Sequence, residues 1–200
     1  LSPGQALLML RTRIESPLSW GRMLLSYIEE KFGTSCYLSI SQPLGRYPSL
    51  KDAFAAVEGQ IEQRFWEPEE RIFISEQTGC DDTSLDALDD NLQMTRIRQA
   101  LNSKDILSLQ ANLDLLFQKY SRPSSQSQIY VKFIFSNLLT TLYPHLPSPA
   151  DERPLDVLVA ELYLKPDISE IIRIVQGLAD NIIAGFTNSQ GSIRREITQV

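Results

Sequence analysis

The apolar positions of this chain change their rhythm along its length. Ala6-Leu7-Leu8-Met9-Leu10 opens a continuous apolar run that passes into alternation by Ile14. Such a run predicts a strand with a buried beginning over Gln5 to Ile14, a helix being the other reading that periodicity allows. After Pro17, Trp20, Leu24, Ile28 and Phe32 recur every fourth residue and draw one stripe along a helix, which Gly33 ends as a C-cap. Cys36 to Ser41 alternates and predicts a strand. Ser49-Leu50-Lys51-Asp52 resembles a capping box, and Phe54, Val57, Ile61 and Phe65 mark the buried side of the helix it opens. A turn at Glu67-Pro68-Glu69-Glu70 leads into a short strand, Arg71 to Ile74. The predicted order strand–helix–strand–helix–strand is a small α/β unit over residues 1–78, with a right-handed first crossover.

A polar, acidic stretch from Gln77 to Asp90 separates this unit from a region of helical period throughout. Met94, Ile97 and Leu101 form one stripe, and Ile106, Leu109, Leu113, Leu116 and Phe117 a second. Val131, Ile134, Phe135, Leu138 and Leu142 form a third, which ends before Pro144. Leu155, Leu158, Val159 and Leu162 mark a fourth helix. Asp167-Ile168-Ser169-Glu170 caps a fifth, with Ile171, Val175, Leu178, Ile182 and Phe186 inside it. Five amphipathic helices with short connections predict a bundle over residues 79–188. Ser192 to Val200 restarts a helical stripe through Ile193, Ile197 and Val200, so residues 189–200 read as the start of a connector to a further domain. The fold class expected is α+β, and no repeat of fixed period is visible.

Composition narrows the classes of function. Of 200 residues, 42% are hydrophobic and 22% charged, which is ordinary for a globular chain. A formal net charge of -6 argues against this piece gripping nucleic acid itself, because counterion release requires a basic face. Cys36 and Cys80 are too few for a disulfide framework and sit outside any C-x-x-C pair, which predicts reduced thiols in a cytoplasmic protein. No apolar run reaches the roughly 18 residues of a membrane span, and the start lacks a signal-peptide pattern. A first residue other than Met suggests an excised piece of a longer chain.

Candidate chemistry is sparse. Asp81, Asp82, Asp86, Asp89 and Asp90 lack the glycine and glutamate spacing of a calcium loop and read as a solvated linker or helix cap. His145, the single histidine, lies among prolines with no second ligand or nucleophile pattern around it. Leu44-Gly45-Arg46 is no phosphate loop, Glu29 and Glu30 point apart on a helix, and Arg194-Arg195 reads as a solvated face. Trp20 and Trp66 read as core anchors. Catalytic residues, cofactor and metal site are therefore all expected to be none, and no enzyme activity is expected.

The run from Ala6-Leu7-Leu8-Met9-Leu10 through Cys36-Tyr37-Leu38-Ser39-Ile40-Ser41, the alanine-rich Asp52 to Glu58 and Arg64-Phe65-Trp66 resembles a degenerate, truncated GGDEF-type unit. With Ser49-Leu50, Arg71 to Ile74, Leu92 to Leu116 and Ile193 to Ile197, nearly the whole chain is similar to the central region of YesN-like AraC-family two-component response regulators. Ser39 stands where that family usually has glycine, and the GGDEF turn itself is absent, so no catalytic or DNA-contacting residue carries over. The resemblance implies a phosphorelay role in transcription regulation, coupling a receiver domain to an AraC-type helix-turn-helix domain. It implies a sensor histidine kinase acting through the receiver, DNA contact only through the missing C-terminal domain, homodimerisation as one route of relay, and no membrane partner. The alternative is an effector-sensing domain holding a small molecule between helices.

Overall fold

The structure, a computed structural model, describes residues 4–12, 14–75, 89–123, 126–147 and 153–197, with side chains through 188. It is mostly helical with one small parallel sheet, and in this coarse sense is α+β. Two compact units are present: Leu1–Arg64 with Pro68–Gly79, and Phe65–Glu67 with Cys80–Val200.

In the first unit, helix α1 (Pro17–Phe32) begins on a proline whose missing N–H costs nothing there, and stops at Gly33. Gly33 adopts the left-handed conformation (φ 61°) that lets its N–H bond the Glu29 carbonyl. Strand β1 (Leu38–Ile40) pairs in parallel with strand β2 (Ile72–Ile74), setting Leu38 beside Ile72, Ser39 beside Phe73 and Ile40 beside Ile74. Helix α2 (Leu50–Ile61) opens on Ser49, whose hydroxyl accepts the Asp52 N–H as its sequence predicts.

The two helices cover opposite faces of the sheet. A Cβ placed on Gly21 of α1 would come within 3.1 Å of Leu38 and 3.2 Å of Ile72, so α1 needs a glycine to lie this close. On the alternate face, the Ser39 hydroxyl donates to Gln60 Oε1 of α2 at 2.9 Å. The unit is thus a miniature three-layer stack, α1 over the sheet over α2.

Two expectations fail here. The predicted strand over Gln5 to Ile14 has no secondary structure among its described residues, and Leu7, Leu8, Met9 and Leu10 are 44–62% exposed. An apolar run states that a segment gains by burial but does not supply the partner edge. Phe65 does not continue the α2 stripe. The helix tightens into a 3-10 turn over Glu62–Phe65, which breaks the 3.6-residue phase, and Phe65 is fully buried in the core of the second unit.

The second unit contains helices α3 (Asp90–Ser103), α4 (Ile106–Tyr120), α5 (Gln128–Leu142), α6 (Leu155–Leu164) and α7 (Ile168–Ile197). Met94, Ile97, Leu101, Leu109, Leu113 and Leu116 are buried as their stripes predict. The centre is Phe135, stacked 6.1 Å from Phe117 and edge-on to Tyr120 at 5.8 Å. Asp105 and Ser127 cap α4 and α5, and Asp167 accepts the Glu170 N–H at the start of α7. Helix α7 runs unbroken across residues 188 and 189, so the two helical stretches distinguished in the sequence are one 30-residue helix. Gly185 permits its close approach to Pro147, whose Cβ would lie 3.1 Å from an added Cβ.

Candidate functional site

The densest polar constellation lies at the start of α3. Asp89 caps this helix, its carboxylate accepting the Asn91 N–H. The next residue, Asp90, turns its carboxylate inward to α4 and α5. Its Oδ1 accepts from Lys119 Nζ at 2.8 Å, and its Oδ2 accepts from Tyr120 Oη at 2.8 Å and Tyr130 Oη at 2.9 Å. Tyr120 is fully buried, and the Lys119 side chain is only 3% exposed. Burial works against the Asp90 charge, but the bonds from Lys119, Tyr120 and Tyr130, with the Lys119 ammonium, outweigh it and hold the carboxyl below its ordinary range. The bond to Asp90, with burial, pushes the Tyr130 hydroxyl up. A carboxylate so well supplied with donors is a stabilised anion, poorly matched to general-base work, which needs a pKa near the operating pH.

A second buried charge sits on α5. Lys132 is buried and donates to the carbonyls of Tyr163 and Lys165 at 2.8 Å each. These carbonyls close the C-terminus of α6, where a cation is favoured. The ammonium also lies 5.7 Å from the centroid of the Phe65 ring. Desolvation pushes the Lys132 pKa down. Beside it, Lys165 bridges Glu161 at 3.2 Å and Glu170 at 3.1 Å, tying α6 to α7. Trp66 Nε1 and Gln93 Oε1 are buried without a hydrogen-bond partner.

The first unit offers an open recess of about 290 Å³, lined by Arg22, Leu25, Ser26 and Glu29 of α1 and by Glu69, Glu70, Arg71 and Ile72. Arg71 pairs with Glu29 at 2.5 Å and donates to the Cys36 carbonyl. Glu29 thus serves as an ion-pair partner, while Glu30 stays exposed on the neighbouring face.

Other residues singled out in the sequence remain apart. His145 is half-buried in a 3-10 turn, and Leu44–Arg46 forms another such turn. Trp20 is partly buried in the first unit, and Trp66 packs edge-on against Phe65 at 5.0 Å. Cys80, Asp81, Asp82 and Asp86 lie outside the described residues, as do the side chains of Arg194 and Arg195. Among the described residues, no three His, Cys, Asp or Glu side chains gather to hold a metal ion, and no helix is long and apolar enough to cross a membrane. The Asp90 cluster is not apparent in the sequence pattern, where Asp90 reads as part of a solvated linker or helix cap. Tyr120 carries the signal, since it continues the Leu109-Leu113-Leu116 stripe and a buried phenol needs a partner.

No protein-family model, curated protein or solved structure matches this chain.

Proposed function

We propose that this chain is a non-catalytic signal-relay segment of a two-component transcriptional regulator, joining a receiver domain to an AraC-type helix-turn-helix domain. The first unit is taken as the truncated GGDEF-like element of that arrangement, its parallel β1–α2–β2 core being compatible with it. The observation that carries the reading is α7. Ile168, Ile171, Val175, Leu178, Ile182 and Phe186 set this helix in the bundle core, and the same helix continues to Ile197 without a break. A continuous helix carries rotation as well as displacement, which a floppy tether does not.

The test is helical phase. One residue inserted after Ser192 turns everything beyond it by about 100°, whereas seven return the face to within about 20°. In the parent regulator, one inserted alanine uncouples phosphorylation from reporter transcription and seven restore it. Equal tolerance of both insertions overturns the proposal, as does a parent chain without receiver and helix-turn-helix domains.

A further inference from the structure

We infer that the edge of β2 turned away from β1, which no described residue pairs, is a strand-accepting surface and that its occupant is Ala6–Leu10 of the same chain, docking as a third parallel strand.

A two-stranded sheet with three residues per strand is marginal by itself. Leu38 N–H bonds Arg71 O at 2.8 Å and Ser75 N–H bonds Ile40 O at 3.0 Å. Residues 71, 73 and 75 therefore face β1. By the alternation of a parallel ladder, the N–H and C=O groups of Ile72 and Ile74 face the other way. No described residue pairs with them.

The edge and the segment suit one another for three reasons. Strands of a parallel sheet covered on both faces are apolar throughout rather than alternating. This sheet has α1 on one face and α2 on the other, and Ala6-Leu7-Leu8-Met9-Leu10 is apolar throughout. Chirality selects the edge. Right-handed β1–α2–β2 and segment–α1–β1 crossovers with their helices on opposite faces run in opposite directions across the sheet. The segment then falls on the β2 side of β1, and because β1 and β2 are already paired, its place is beyond β2. Finally, Arg11 to Ser16 is a six-residue connection, within the usual length for joining a strand to the helix that packs on it. In the described conformation the segment is exposed and no described residue pairs with the edge, a strap that has yet to close.

Amide exchange on the full chain tests this residue by residue. Docking slows the Ile72 and Ile74 amides at least about tenfold relative to a Leu8→Pro variant, because proline in the segment removes a ladder donor. The Phe73 and Ser75 amides, bonded to β1, stay protected in both and report that the unit is intact. If Leu8→Pro also exposes Phe73, Leu8→Ser decides by the same criterion, since it weakens apolar docking and leaves the backbone able to bond. Ile72 and Ile74 amides that exchange freely in the unaltered chain, or equally in chain and variant, overturn the inference. So does protection that rises with protein concentration alongside a dimer, which would make a second copy the occupant.

Discussion

Replacing Asp90 by asparagine removes the one carboxylate that Lys119, Tyr120 and Tyr130 share. The buried ammonium of Lys119 then loses its ion pair with Asp90, and both hydroxyls, which share Oδ2, lose an ionised acceptor. Breaking a buried pair on one side costs about 3–5 kcal/mol. Here the Asp90 side chain keeps 12% exposure against 3% for Lys119, and asparagine retains one acceptor oxygen, so about 2–3 kcal/mol is expected. Urea unfolding followed by far-ultraviolet circular dichroism measures it. Lys119→Met removes the other charge, and the double variant should cost about 1–3 kcal/mol less than the sum of the single ones. Acid supplies an independent check. The Asp90 carboxyl titrates below its ordinary value, so its stabilisation is complete above the unfolded pKa of about 3.9 and disappears as the pH falls through the lower folded value. The gap between wild type and Asp90→Asn should be flat near neutrality and close below about pH 4. A cost under about 0.5 kcal/mol, additive variants, or a gap indifferent to acid would refute a stabilising carboxylate at this position.

The lowered pKa of Lys132 makes its charge unfavourable to the fold, and the unfolded chain holds that proton more tightly. Stability of the wild type relative to Lys132→Met should therefore rise as the pH climbs through the lowered folded value towards the ordinary lysine value near 10.4, read from thermal melts. Two glycines should respond oppositely. Gly21→Val overpacks Leu38 and Ile72 and should destabilise the first unit by about 1–3 kcal/mol, whereas Gly59→Ala, with nothing within 4 Å of the new methyl, should stabilise α2 by about 0.5–1 kcal/mol. Urea unfolding of each variant reads both signs.

The features legible in the sequence are those that neighbouring residues decide between themselves. Gly33 and Ser49 act within one helical turn, and the Leu109-Leu113-Leu116 stripe needs only its own period, so the residues alone suffice to place each of them. Ala6–Leu10 misleads because a strand is completed by an edge, and the edge proposed for it lies more than 60 residues downstream at Ile72. Asp90 is hidden by the same kind of distance, its donors being 29, 30 and 40 residues away. Lys132 looks like an interruption of α5, whereas it serves as the cap of a different helix. Phe65 falls in a different core from the one its spacing suggests, because a 3-10 turn alters the phase without altering the composition.

The length of α7 has a mechanical consequence. At 1.5 Å per residue its 30 residues reach about 45 Å. The part from Ile168 to Phe186, whose buried face seats it in the bundle, accounts for about 27 Å of that. A rigid rod clamped over part of its length is a lever, and small errors at the clamp grow with distance. A tilt of about 10° about Ile168 carries Ile197 sideways by nearly 8 Å, more than one helical pitch of about 5.4 Å. The stiffness of the seat, set by the Gly185–Pro147 approach and the Asp167 cap, therefore governs how faithfully the far end is placed. Loosening either one should displace Ile197 about 1.6 times as far as Phe186, the last core residue of the seat.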